Sequence, residues 1–477
     1  MKYVVFAVAL LGILPAAAWC AVNRRFFRLM PVFLMIPVLV FQKTSINPIS
    51  FEWYRGSSRG YEISAFYLMA IAMLVAIAMR GRKISFAPDW GAKLYLLYFL
   101  WSCLSMQNVE SAVVGGAELL KMVMMYIVFL AVYNWLCVVK DPRPVLMGFA
   151  IVIICSFLMV VREHLGHIWQ VRGPFPHQNS LALYMLMATP VFFAYYLNAA
   201  NRAHGRWLFG AAFFLGAGCL VRTYSRGAIA CYPFALAAVL FLSVRRNFSF
   251  RQITRLLPLA ALGFLGFLLI LPRIIQRFET APKASGNARI EFARCARNMM
   301  KAEPFFGVGI NNWGIKVNPP YEYWKGTGLR TRAGAGLNDP NHKDGIVETV
   351  YLLVGAECGI PALALMLAWY AYYLVSCLKL SKRLAGSSWF FIPVGLAGSL
   401  ISVYLQSVLE WVLKQSVNFA EMMVFFAVIS FLNRHWKDLK RQELEERGLR
   451  LQKMQERKDR MLRELELKKE RESAHEE

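Results

Sequence analysis

Apolar runs long enough to cross a membrane recur along almost the whole chain, and they constrain its fold more than any other feature. A bilayer core needs about 20 apolar residues per helix, within a range of about 17–25. The runs near this length are 3–21, 29–42, 61–79, 91–106, 117–139, 145–161, 180–198, 206–221, 227–244, 256–271, 347–378, 389–412 and 416–432. Run 29–42 is short and contains Pro31 and Pro37, so it is either a kinked span or a re-entrant hairpin. We therefore predict an all-α polytopic membrane protein with about 12–13 transmembrane helices within residues 1–432.

Composition and charge agree with this class. Hydrophobic residues make up 57% of the 477 residues and charged residues 17%, against about 45–50% and about 25% in soluble domains. The net charge of +25 comes from short basic clusters between apolar runs. Lysine and arginine concentrate in cytoplasmic loops of membrane proteins, and one alternating set of loops has more than twice as many as the other. We expect that set and the C-terminus to be cytoplasmic, with lipids rather than nucleic acid as partners.

The N-terminal topology stays open at this point. Residues 1–20 combine Lys2, an apolar stretch and Ala16-Ala17-Ala18, a pattern that also occurs in signal peptides. We favour an uncleaved helix, and the assignment of the later loops does not depend on this choice.

Two polar regions interrupt the apolar pattern. Residues 272–346 should form a large extracytoplasmic loop, which we interpret as a folded cap because it contains several tryptophans and tyrosines. Residues 433–477 are rich in charged helix formers and predict a helical cytoplasmic tail, either a single solvated helix or a short coiled coil. The nine cysteines show no CxxC and no Cys/His spacing, so we expect no metal site and no cofactor.

The outer ends of the predicted helices carry an unusual set of polar residues. Arg172 and His177 lie in a Gly- and Pro-containing turn before a span that Asn179 or Ser180 would cap, which is a suitable anion site. Arg222 and Arg226 flank a short outer loop. An arginine there either reaches the headgroups or, through its guanidinium fork, binds phosphate oxygens.

The predicted cap adds further candidates. A helix should begin near Arg289 and end before Pro304, and Gly307 and Gly309 allow a tight turn after it. His342 is either a base or a solvated loop histidine. Past the cap, Glu348 stands at the start of a span.

A second carboxylate follows in that span. Glu357 lies nine residues after Glu348 on the opposite helix face, so the two should not form a catalytic pair. We interpret Glu348 as a candidate base and Glu357 as a structural contact to an arginine.

In this order, the segments resemble the O-antigen ligase and O-antigen polymerase superfamily over about residues 170–365. The motifs are Arg172-Gly173 with Asn179, Ser225-Arg226-Gly227, Arg289 with Pro304-Phe305-Phe306-Gly307-Val308-Gly309, and Tyr351-Leu352 with Glu357-Cys358-Gly359-Ile360. The resemblance implies a bacterial inner-membrane enzyme that transfers a glycan from an undecaprenyl-pyrophosphate carrier to a lipid, glycan or protein acceptor in the periplasm, without a metal.

The resemblance also implies residue roles. Arg172 and Arg226 would bind the pyrophosphate with help from Arg222 and Arg289, while His177, Asn179 and Glu357 support the site. The ligases carry His-Asn where this chain has Glu348-Thr349. Either Glu348 replaces that histidine as the base, or His342 does its work, or activity is lost. A transporter or flippase for the same lipid-linked glycan is the alternative hypothesis.

Overall fold

The computed structural model describes residues 2–51, 54–199, 205–279, 283–329 and 345–476. These residues form an all-helical protein in which no strand occurs. The helices are α1 Lys2–Leu11, α2 Ile13–Val22, α3 Arg24–Met35, α4 Phe41–Thr44, α5 Ala65–Met79, α6 Trp90–Leu104, α7 Ala112–Val139, α8 Arg143–Leu165, α9 Gln178–Asn198, α10 Arg206–Arg222, α11 Arg226–Asn247, α12 Phe250–Glu279, α13 Lys283–Ala302, α14 Trp313–Lys316, α15 Val350–Arg383, α16 Phe391–Gln406 and α17 Ser416–Glu476. Short 3₁₀ helices occupy Ile36–Val40, Ser105–Asn108 and Val412–Lys414.

The helices have the lengths and composition of a multi-pass membrane protein. Within the described ranges, six stretches are long and apolar enough to cross a bilayer: α7, α8, α9, most of α11, α15 and the Ser416–Gly448 part of α17. Four shorter apolar helices accompany them: α2, α5, most of α10 and α16. The all-helical membrane fold is therefore confirmed, whereas the count of 12–13 spans remains a prediction. Run 29–42 is divided among α3, a 3₁₀ turn that contains Pro37, and α4.

Close helix packing depends on small residues. A Cβ added to Gly395 of α16 would lie 2.4 Å from the Cα of Val191 in α9. One added to Gly398 would lie 2.7 Å from the carbonyl oxygen of Ala235 in α11. Small residues at such crossings let helix backbones approach, which stabilises association where lipid gives no hydrophobic drive. These two glycines fix α16 between α9 and α11, and α16 leads into the loop that completes the candidate site.

A kink in α15 is matched by a turn after α13. Gly359 has φ 85°, outside helical geometry, and Pro361 provides no backbone N–H. The carbonyl oxygens of Ala356 and Glu357 accept hydrogen bonds of 2.9 Å from the backbone N–H groups of Val308 and Gly309. The kink frees backbone groups and the turn satisfies them, which explains why the two glycine-containing motifs occur together.

The part of the predicted cap within the described residues is folded. The helix expected from Arg289 begins earlier, at Lys283, and ends at Ala302 just before Pro304, as predicted. Cys295, Met299 and Trp313 form a small second core with Leu353 of α15. The predicted tail is helical, because α17 continues from Ser416 to Glu476. The side of the membrane that the cap and the tail face, and any pairing of the tail, remain predictions.

Candidate functional site

Several helix ends meet at one end of the bundle, which we call the site end: residues 163–180, 222–227, 348–350 and 406–416. The Val350 N–H donates to the Ser407 carbonyl oxygen at 3.1 Å. The Asn179 amide reaches Glu410, and Gly227 packs against the side chain of Gln406. Four helices, α9, α11, α15 and α17, therefore begin around one loop. Helix N-termini carry partial positive charge and unpaired N–H groups, so this end favours anions.

At the site end, one guanidinium lies between two carboxylates. The Arg289 Nε contacts Glu348 Oε2, and its Nη2 lies 3.3 Å from Glu410 Oε1. The Asn179 amide donates to that Glu410 oxygen at 3.1 Å. The Glu348 side chain is 34% exposed, whereas that of Glu410 is 10% exposed. We call Arg289, Glu348 and Glu410 the open cluster, because one of its carboxylates is accessible.

The two carboxyl groups compete for one cation. Glu410 lies in the connection between α16 and α17, outside the membrane-spanning segments. Burial, together with the negative charge of Glu348, raises the pKa of Glu410 to about 7. Arg289 and the Asn179 hydrogen bond act against this rise. The charge of Glu410, and with it the ion pair that holds Arg289, therefore changes near neutral pH.

The three other predicted arginines lie on neighbouring loops of the site end. Arg172 is exposed, and its backbone N–H donates to Glu163 Oε2 at 2.8 Å. The guanidinium of Arg222 is held by the Tyr224 hydroxyl at 3.2 Å and by the His164 ring. Arg226 is half-buried at the first position of α11. All three therefore lie at the site end, on the loops that join α8 to α9 and α10 to α11.

Two predicted details are corrected. His177, rather than Asn179 or Ser180, caps α9: its Nδ1 accepts from the Asn179 N–H at 3.2 Å. Burial lowers the pKa of this histidine, which fits its role as an acceptor. The side chain of Asn179 is thereby left to bind Glu410.

Glu357 also differs from expectation. Its fully buried carboxylate accepts from the backbone N–H of Trp313 at 3.3 Å instead of pairing with an arginine. Its position in the kinked segment, beside the turn after α13, makes a backbone donor the nearest partner. His342, the other candidate base, lies outside the described residues.

Two residues of the site end were not predicted from the sequence: Glu410 and Gln415. The side chain of Gln415 accepts a hydrogen bond from the Ser180 hydroxyl. Glu410 lies within the apolar run 389–412. A carboxylate within such a run is energetically costly and usually functional, so the argument that selects Glu357 also selects Glu410.

A second charged group lies behind the site end and was also missed. Glu118 of α7 accepts from Lys121 at 2.7 Å and from Lys414 at 3.0 Å, and the Ser58 hydroxyl donates to it at 2.6 Å. All three charged side chains are buried. We call Glu118, Lys121 and Lys414 the closed cluster. Because Lys414 is four residues from Glu410, the closed cluster anchors the loop on which the open cluster depends.

Comparison with known protein families finds a match in the central part of the chain. The family model described as O-antigen ligase matches residues 211–367. A search of curated proteins finds no match to the chain. The matched range contains Arg222, Arg226, Arg289, Glu348 and Glu357, while Arg172, Asn179 and Glu410 lie outside it. The resemblance seen in the sequence is thus confirmed over α10 to the first half of α15.

Proposed function

We propose that this chain, whose residues 211–367 belong to the O-antigen ligase superfamily, transfers a glycan from an undecaprenyl-pyrophosphate carrier to an acceptor hydroxyl. The observation that carries the proposal is the open cluster, with a partly exposed carboxylate, among four helix N-termini and three arginines. Such a site combines an anion-binding surface with a proton acceptor. A glycosyl transfer with a diphosphate leaving group requires both.

The leaving group determines the first role. When the bond between the anomeric carbon and the phosphate oxygen breaks, the electron pair stays on the undecaprenyl pyrophosphate. Arg172, Arg222 and Arg226 supply fixed positive charge there, and guanidinium forks match phosphate oxygens. The N-terminus of α11 adds backbone N–H groups that are already oriented. Preorganised donors of this kind lower the barrier without reorganising during the reaction.

The acceptor hydroxyl determines the second role. Its oxygen forms the new bond to the anomeric carbon, and its proton passes to a carboxylate. We assign this proton to Glu348, since it is the more exposed carboxylate of the open cluster. Glu410 acts as a positioning residue that, with Asn179, holds Arg289 against Glu348. Arg289 then serves mainly to orient the two carboxylates, and contributes to pyrophosphate binding only secondarily.

Location follows from the same reaction. We propose that the protein resides in the bacterial inner membrane with the site end and the cap in the periplasm and α17 ending in the cytoplasm. The partners would be the lipid-linked glycan donor, a lipid, glycan or protein acceptor, and the surrounding membrane lipids. The polyprenyl tail would remain in the bilayer beside the helices.

The test is glycan transfer by the purified full chain in proteoliposomes that contain undecaprenyl-pyrophosphate-linked glycan and an acceptor glycolipid. We expect Arg226→Ala and Arg172→Ala to lose transfer while still inserting. Arg245→Ala is the matched control, because Arg245 lies at the opposite end of the helix that begins with Arg226. Normal transfer in both site variants would contradict the mechanism.

A cellular measurement separates the possible reactions. In cells that lack the protein, full-length glycans accumulating on the carrier indicate a ligase, and single repeat units on the outer leaflet indicate a polymerase. Carrier-linked glycan retained on the inner leaflet would instead favour the flippase and overturn the enzyme.

A further inference from the structure

A concave site lies away from the open cluster. A solvent-open pocket of about 280 Å³ is lined by Gln107, Asn108, Glu303, Lys316 and Tyr323, together with two valines. Its walls come from the connection between α6 and α7, the turn after α13, the end of α14 and the segment that follows it. Arg289 and Glu303 are fourteen residues apart along and just beyond α13, so at 1.5 Å per residue the pocket is about 20 Å from the open cluster.

The pocket is held in shape by contacts from its own lining and from α13, and Asn108 also lies 3.5 Å from Glu303 Oε2. Asn108 donates to the Gly307 carbonyl oxygen at 2.8 Å, and Asn298 of α13 donates to the Tyr323 carbonyl oxygen at 2.9 Å. The rings of Tyr321 and Tyr323 stack with centroids 6.3 Å apart. The two tyrosines and the turn are thus fixed to α13, and the pocket is preformed.

The chemistry of the lining selects among ligands. Glu303 and Lys316 contribute opposite charges, and Glu110 lies 3.8 Å from the Lys316 ammonium, so no excess of positive charge favours a diphosphate. Only the two valines are apolar, which disfavours a lipid chain. Two amides, a carboxylate, an ammonium and a phenol offer both donors and acceptors beside a ring. Sugars, which are rich in hydroxyls and have one apolar ring face, meet these requirements.

We propose that this pocket binds sugar residues of a substrate glycan remote from the bond that reacts. The proposal rests on the proposed function and extends it, since it assigns a glycan-binding site about 20 Å from the reaction. The glycan could be part of the donor or of the acceptor, and both present the same chemistry. Binding of remote substrate parts can support reaction at a distant centre.

The test uses the purified full chain and three probes. The first is undecaprenyl pyrophosphate without glycan, and the second is the carrier-linked glycan from cells lacking this protein. The third is the acceptor glycolipid, which bears its own sugars, from cells lacking the glycan that is transferred. Glu303→Gln and Gln107→Ala are the pocket variants, and Gln107 is exposed, so its loss should not disturb folding. Glu322→Gln is the matched control, because Glu322 is exposed in the same segment as Tyr323 but does not line the pocket.

We expect each pocket variant to weaken binding of one glycan-bearing probe about tenfold, roughly 1.4 kcal/mol, and to leave binding of the bare carrier unchanged. Weaker binding of the carrier-linked glycan assigns the pocket to the donor, and weaker binding of the glycolipid assigns it to the acceptor. Unchanged binding of both, with normal transfer by the unaltered protein, overturns the pocket assignment alone. If the unaltered protein neither binds the bare carrier nor transfers glycan, the proposed function fails and this proposal falls with it.

Discussion

Two charged clusters lie on either side of one loop, and they use the same kinds of groups for different purposes. The closed cluster places two lysines on one carboxylate, Glu118, which is fully buried and bound by three side chains. The open cluster places one arginine between two carboxylates, of which Glu348 is 34% exposed. The loop with Glu410 and Lys414 belongs to both.

The difference shows that the ratio of charges and their exposure separate a structural contact from a reactive one. A buried carboxylate held by two ammonium groups and a hydroxyl is inaccessible to substrate, so it fixes geometry. A carboxylate pair that shares one cation is left short of positive charge, which raises the pKa of its buried member, Glu410, to about 7 and leaves Glu348 accessible. The buried group therefore positions the loop, and the exposed one is available for chemistry.

The largest effect is expected when the reactive carboxylate is removed. We expect Glu348→Gln to lower kcat for glycan transfer by about 10²–10⁴-fold, because general-base catalysis contributes about that much. His342→Ala tests the competing base. If only His342→Ala is severe, the assignment of the proton to Glu348 is wrong.

Breaking the closed cluster should act on stability. We expect Lys414→Met to lower the free energy of unfolding by about 3–5 kcal/mol, because it leaves a buried ionic group with incomplete compensation. The triple variant Glu118→Leu, Lys121→Leu, Lys414→Met should recover most of that loss, since a well-packed apolar replacement has no buried charge to compensate.

Denaturant titration in mixed micelles measures both variants. Arg289→Met in the open cluster is the comparison, and we expect it to cost only about 0–1 kcal/mol because its ion pairs are partly solvated. Equal losses for Lys414→Met and Arg289→Met would remove the distinction between the clusters.

The kink in α15 should matter more to the open cluster than to the closed one. Gly359 has φ 85°, and an added Cβ would lie 2.2 Å from the Phe305 carbonyl oxygen. We expect Gly359→Ala to lower stability by about 2–4 kcal/mol and to displace the segment that follows Glu348, because left-handed backbone and steric overlap both oppose the side chain.

Gly386→Ala is the matched control for that variant. Gly386 has φ 79° but no atom within 4 Å of the added Cβ, so the variant should show only the backbone cost of about 1–2 kcal/mol. Thermal unfolding and glycan transfer of the two variants measure the difference. Equal effects of the two substitutions would mean that contact with the turn after α13 is unimportant.

The smallest effect is a pH dependence. Burial and the charge of Glu348 raise the pKa of Glu410 to about 7. If the ionised Glu410 holds Arg289, transfer should fall as pH drops through 7, by about tenfold per unit below it. In Glu410→Gln this fall below pH 7 should disappear, and the rate of transfer should be low at every pH. If the fall near pH 7 persists in Glu410→Gln, the titrating group is not Glu410. Coupled carboxyl groups titrate as a pair, so removal of one member should change the profile.

The positions of the site residues could be predicted in large part because membrane topology orders them. Alternating apolar runs place Arg172, Arg222, Arg226 and Glu348 at helix ends on the same side, and the structure brings these ends together. Side-chain partners could not be predicted in this way. His177 caps α9 and Glu357 binds a backbone N–H because of local geometry that residue spacing does not encode.

By itself, the sequence determined the all-helical membrane class and the resemblance to the O-antigen ligase family, because both depend on composition, on the length of apolar runs and on the order of motifs. Only the tertiary structure decided which carboxylates share Arg289. Glu410 is more than 60 residues from Glu348 in the chain and reaches it through the packing of α16 between α9 and α11. The proton affinity of a carboxyl group depends on burial and on neighbouring charges, and these are properties of the folded arrangement.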